Sequence, residues 1–132
     1  MAAFSNYLED QITGWIQGSS FASALTGGTF VQLFSNAVDD AGTGTAIFAR
    51  ASVASGAGSW TRGTDGSGTI TNATAITITA SATAAATACS VGVYDASADG
   101  HLLFHGVLTA AKTIASGDEV KFNASALTLT VA

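Results

Sequence analysis

Aspartates and histidines gather in one short stretch, and they define the chemistry this chain could attempt. In Asp95-Ala96-Ser97-Ala98-Asp99-Gly100, oxygen-bearing side chains stand at the first, third and fifth positions with Gly at the sixth, which is the first half of an EF-hand calcium loop. The match ends there, because the twelfth position is Gly106 where a bidentate Glu is required. His101 and His105 are the only two histidines. Four residues apart on a helix they would suit a metal, but the surrounding residues alternate as in a strand. At roughly 3.3 Å per residue the two rings would then lie about 13 Å apart, too far for one ion within a chain. They read as polar positions on an outer face; the alternative is a symmetry-axis site taking one His from each subunit.

The other chemical candidates are weaker. Asp39 and Asp40 are chain neighbours that point apart, with no third ligand at coordination spacing, so a solvated loop explains them. Gly56 to Gly68, GAGSWTRGTDGSG, lacks the Gly-Lys-Ser/Thr ending of a phosphate loop and no helix follows it. Cys89 is the single cysteine, set among Ala and Val, which rules out an intrachain disulfide and favours a small apolar packing residue over a reactive thiol. No Ser lies in a nucleophile motif. The expectation is a non-enzyme with no cofactor and no metal.

The elements that must position these residues are mostly strands. Cys89 to Leu108, CSVGVYDASADGHLLFHGVL, reads as the central β-hairpin: Val91 and Val93 alternate with Gly92 and Tyr94, and the turn formers Asp95 to Gly100 fix its register locally. Residues 4 to 17 form the one convincing helix, with Ser5 as N-cap, Glu9 and Asp10 in the early turns and Gly18 as the stop. Its apolar residues Leu8, Ile12, Trp15 and Ile16 make one stripe, which either closes an end of a β core or docks on a neighbouring subunit.

A Gly/Ser/Thr connector leads to a strand at FVQLF, then a long polar loop from Ser35 to Thr45, of the kind that is functional or mobile. AIFARASV follows, with Arg50 on one face, stacked on a ring such as Trp60, paired with a carboxylate, or solvated. The 56–68 stretch reads as a flexible hairpin tip presenting Trp60 and Arg62. TITNATAITIT gives one or two strands, and VKFN and LTLTV close the chain. Seven to nine short antiparallel strands at this turn spacing predict an all-β sandwich, with a jelly roll as its topology and a single domain over 1–132: helix to residue 18, sandwich from 29.

Composition narrows the partners. The chain has 132 residues, four basic side chains and a net charge of -5, so no basic patch exists to displace counterions from nucleic acid. Charged residues make up 10%, which requires a hydroxyl-rich surface or one buried against partners. The long uncharged stretch after Asp65 is built from Ala and Thr in strand period, not as a membrane span. The N-terminus has no basic region ahead of Glu9 and Asp10, so folding in a cytosol is expected.

Several segments carry a family resemblance: AAFSNYLED at the start, FVQLFSNAVDDAGTGTA, FAR at 48 to 50, NATAIT at 72 to 77, VGVYDASADGHLLFHGVLT at 91 to 109, and KTIASGDEVKF at 112 to 122. In this collinear order the chain resembles a family of small tailed-bacteriophage virion proteins, commonly labelled tail fibre proteins. It departs from the pattern at Cys89, where an aromatic is usual, and at Phe48, where Tyr is common. The resemblance implies a structural role in the virion. Similar jelly-roll proteins often act as capsid decoration or cement proteins, usually homotrimers on the major capsid protein.

The residues themselves favour that role, because the chain has no heptad run, no Gly-X-Y repeat and no internal repeat to build a fibre shaft. Tyr7, Leu8 and Trp15 on the helix, with Trp60 and Arg62 in the glycine-rich loop, are the expected contact residues. The competing expectation is a tail- or head-fibre component that binds the host surface or its glycans, with Tyr94, Trp60 and Phe104 grouped in a shallow exposed groove.

Overall fold

The computed structural model describes residues 2–21, 25, 27–54, 56, 58–80 and 85–131. Residues 22–24 and 26 of the Gly/Ser/Thr connector, residue 57 of the glycine-rich tip and residues 81–84 of the Ala/Thr run ahead of the central hairpin lie outside the described residues. The chain forms β1 (Ala2–Phe4), α1 (Asn6–Ile16), β2 (Thr29–Phe34), β3 (Ala46–Val53), β4 (Trp60–Arg62), β5 (Thr69–Asn72), β6 (Ile76–Thr79), β7 (Ala86–Tyr94), β8 (Leu102–Ile114), β9 (Glu119–Phe122) and β10 (Thr128–Thr130). A five-stranded antiparallel sheet in the order β1-β8-β7-β2-β3 is faced by a three-stranded sheet, β10-β5-β4, and a two-stranded sheet, β6-β9. This is the expected all-β sandwich. The strands form hydrogen-bonded groups of five, three and two.

The core lies where these layers meet. Val31, Leu33, Val53, Ala88, Val91, Val93 and Ile114 of the large sheet close on Trp60, Ile76, Ile78, Val120 and Leu129 of the smaller ones and on Leu127 just ahead of β10. Alternation accounts for most of it: Ile76 and Ile78 are buried while Thr77 and Thr79 are exposed. The expected alternation at the C-terminus stops at Leu129, since Val131 is exposed.

A second apolar cluster sits on the other face of the large sheet, where Phe34, Val38, Tyr94 and Leu102 gather against Phe30. The loop 35–45 covers it and is tied down throughout. Asp39 Oδ1 accepts from the Ala41 and Thr43 amides at 3.1 and 2.7 Å, and Asn36 Oδ1 accepts from Thr45 N at 2.7 Å. Ser90, fully buried on β7, donates to Asn36 O at 2.6 Å and accepts from Val38 N at 3.3 Å. The loop is a cover for this cluster, not the free loop its length suggested. Gly92 makes the cluster possible: a Cβ there would meet Leu102 Cδ1 at 2.9 Å and Phe34 Cε2 at 3.1 Å.

The N-terminus differs from its sequence reading at one point. The helix begins at Asn6 and not at residue 4, because Ala2–Phe4 adds to the edge of the large sheet, with Phe4 opposite Phe104. Ser5 is the joint between strand and helix. Its amide donates to Leu103 O at 3.0 Å, its Oγ donates to Leu102 O, and Oγ also caps the helix by accepting from Leu8 N at 3.3 Å.

Candidate interaction surface

The β7–β8 turn, which drew the chemical readings, is an internally satisfied structure. Both Asp95 oxygens are engaged by His101, Oδ1 accepting from its amide at 2.6 Å and Oδ2 facing Nδ1 at 2.9 Å. Asp99 and Gly100 both take positive φ, 49° and 69°, which the Asp-Gly pair tolerates. The Tyr7 ring stacks on His101 at 3.8 Å and 8°, so the helix start is clamped to the turn. His105 Nε2 lies 2.7 Å from Asp40 Oδ1, and Asp40 O accepts from Asn6 N at 3.0 Å. His105 is a polar position on the outer face of the large sheet, opposite Gly92, where the loop mostly covers it. Among the described residues no three His, Cys, Asp or Glu side chains come together as a metal site would need.

Arg50 completes this end of the molecule. Its Nη1 donates to Ala96 O and Asp99 O at 2.7 and 2.8 Å, and its guanidinium lies 3.6 Å from the centre of the Tyr94 ring. It stacks on Tyr94, not on Trp60. A bulge in β3 aims it there: Ile47 pairs with Leu33 and Ala51 with Val31, so Phe48, Ala49 and Arg50 stand opposite Gln32 alone. Phe48 takes φ 61° to make the bend. The FAR triplet thus has a structural task.

Tyr94 is 8% exposed, and burial raises its phenol above the ordinary value of 10.0, an effect that Arg50 partly opposes. The folded state consequently holds this proton more tightly than the unfolded chain does. Its contribution to stability is complete below pH 10 and is lost as pH rises through the raised value. In urea melts between pH 8 and 11.5, wild type is expected to lose more stability than Tyr94→Phe; equal losses would contradict this assignment.

The expected contact residues fall into two groups. Trp15 is 61% exposed and its neighbour Ile16 73%, while Leu8 and Ile12 are half-buried and no residue of α1 is fully buried. The helix stripe does not close the core along its whole length. Trp60, by contrast, is no loop-tip residue. It opens β4 opposite Asn72, is 8% exposed, and donates from Nε1 to Thr29 Oγ1 at 3.0 Å. A large indole whose N–H finds a buried hydroxyl gains more between the sheets than at a solvated tip. Arg62 remains exposed two residues on.

Two apolar depressions adjoin one another, and the second of them borders the helix stripe. One, of about 480 Å³, is lined by Leu25, Trp60, Val93, Leu103, Phe104 and Leu129 among others. The second, of about 490 Å³, runs between α1 and the 63–68 turn, past Phe4, Leu8, Ile12 and Phe21. Arg62, Ile70 and Phe104 border both. Phe21 and Leu25 are themselves exposed, and Phe21 lies 6.4 Å from Trp15 between ring centres. The sequence reading missed both; their only signal was large apolar side chains in a Gly/Ser/Thr connector.

Among the described residues no helix is long and apolar enough to cross a membrane. No curated protein matches the chain. A family model described as "Podophage GP4 fiber I protein gp80" matches residues 3–130, nearly the whole chain. That family is one of phage structural proteins of the virion, in agreement with the resemblance carried by the turn and strand-end motifs. The chain therefore belongs to the family of the podophage GP4 fiber I protein gp80.

Proposed function

We propose that this protein is a capsid decoration protein: a homotrimer that seats on the major capsid protein across capsomer boundaries and cements the head. The observation that carries the reading is the exposed apolar end of α1, Trp15 and Ile16, on a sandwich with no shaft-forming segment among its described elements. Large exposed apolar patches mark association surfaces, and the surface of a chain with only 10% charged residues suits burial against a shell. A protein that binds only the assembled shell stabilises it by mass action. Heads assembled without it are expected to release DNA at a lower temperature than complete heads, and adding the purified protein back is expected to restore the difference. Equal release temperatures would overturn the cement role.

A second reading, a fibre component in contact with the host surface, draws support from the fibre description of the matching family. Its expected glycan platform is weakened, because Trp60 lies between the sheets and Tyr94 lies beneath Arg50. Of the three aromatics, Phe104 borders the depressions as a half-buried residue. Binding of the isolated chain to host cells or their glycans would favour this reading over the first.

A further inference from the structure

We propose that β1 and α1 form a strap that opens and closes as one unit while the sandwich stays folded, and that the closed strap guards the outer edge of β8. The two apolar clusters carry the first half of this. Among the described residues, neither cluster, nor the half-buried side chains packed on them, includes a residue from 2–16. The sandwich therefore keeps its core when the strap leaves. The strap has no core of its own, since no residue of α1 is fully buried and Leu8 and Ile12 line the second depression instead of joining a cluster. Segments with few buried apolar contacts open at a lower free energy than the core does.

The anchors of the strap fall on four consecutive residues, so they are lost together. The Phe4 ring lies 5.1 Å from that of Phe104, Ser5 bonds Leu103 O through its amide and Leu102 O through its Oγ, Asn6 N donates to Asp40 O at 3.0 Å, and Tyr7 stacks on His101 at 3.8 Å. Once they let go, α1 is an 11-residue helix with Gly14 inside it, too short to persist alone in water. Opening is thus all-or-none across the strap. It uncovers the Phe104 ring and leaves the Leu102 and Leu103 carbonyls and the backbone of Phe104–Gly106 without their outer partners. Among the described residues β1 is the outer neighbour of β8, and its pairing stops at Gly106, beside the 62% exposed Val107. The open state therefore offers a longer free edge, and a free edge is a template for a strand of another chain.

The inference concerns the folding of the chain and holds for either position on the virion. Native-state amide hydrogen exchange of the full chain tests it. The amides of Leu8–Ile16 are expected to exchange about 100-fold or more faster than those of β2 and β7, and with a weaker dependence on low urea, because opening the strap exposes little surface. Tyr7→Ala, which removes the stack on His101, is expected to speed the strap about three- to tenfold and to leave β2 and β7 as they are. The amides of Phe104–Gly106 that face β1 are expected to speed up with the strap. Ile78→Val, a small change inside the core, is expected to do the converse, raising exchange in β2 and β7 about three- to tenfold without touching the strap. Exchange of the strap at the core's rate, or equal acceleration of strap and core by either variant, would overturn the proposal, since residues 2–16 would then unfold together with the sandwich. A strap accelerated by Tyr7→Ala while all amides of Phe104–Gly106 keep their protection would overturn its guarding role.

Discussion

Asn72→Leu is expected to lower the unfolding free energy by about 3–5 kcal/mol, enough to unfold a marginal domain of this size. Asn72 is fully buried at the end of β5 and holds three separate segments. Its Nδ2 donates to Thr74 O and Asn123 O, both at 2.8 Å, and its Oδ1 accepts from Leu127 N at 2.9 Å. The backbone repeats the pattern: Asn72 N donates to Leu127 O at 3.2 Å, and Ser125 N donates to Asn72 O at 2.7 Å. One side chain thus fastens the turn into β6 and the β9–β10 connection onto β5. Leucine keeps the approximate volume, leaves the buried Leu127 amide without its side-chain acceptor at a cost of about 1–3 kcal/mol, and removes the donor that ties the part-buried Thr74 and Asn123 carbonyls to β5. Urea unfolding at constant m-value measures the loss, and a change below about 1 kcal/mol would contradict this role for Asn72.

Gln32→Leu is expected to cost about 2–4 kcal/mol, through a different mechanism. Gln32 is a buried polar residue among the apolar Phe30, Val31, Leu33 and Phe34 of β2, opposite the β3 bulge. Its Nε2 donates to Ile47 O at 2.8 Å and lies 3.1 Å from both Phe48 O and Leu33 O. The side chain therefore replaces the backbone partner that the bulge removes from the ladder. Losing it strands the Ile47 and Phe48 carbonyls and releases the bend that aims Arg50. Amide exchange in the 95–100 turn is expected to speed up along with the global loss. A destabilised variant whose turn keeps its local protection would show that Arg50 holds the turn without help from Gln32.

These two residues mark the limit of what could be read from the sequence. The β7–β8 hairpin was legible because its alternation and its Asp-Gly turn are local signals. So was the Ser5 cap, since capping needs only a hydroxyl ahead of an amphipathic run. The β1 strand was not, because Ala-Ala-Phe has no alternation and its pairing partner, Phe104, lies about a hundred residues away. The β3 bulge was hidden for a similar reason: no glycine announces it, and Phe48 takes the left-handed conformation only because Gln32, on another strand, satisfies the carbonyls. Trp60 was misplaced because its glycine-rich surroundings suggested exposure, whereas the Thr29 hydroxyl that receives its N–H is 31 positions away in the chain. Long-range polar partners decide these cases, and a pattern of residue types does not show them.

The candidate surface divides along the same line. The amphipathic stripe of α1 was visible, and the structure leaves Trp15 and Ile16 in solvent. The depressions beside it depend on β4, β5, β8 and β10 arriving at one place, which no local period encodes.

Location on the particle is the most direct test of the decoration role, and a cryo-EM map of purified virions provides it. Density for the sandwich is expected at many positions over the head, where capsid subunits meet, with an end of α1 or its apolar face covered by a neighbour. Density confined to the tail tip would contradict the cement reading and leave the host-contacting fibre component in its place.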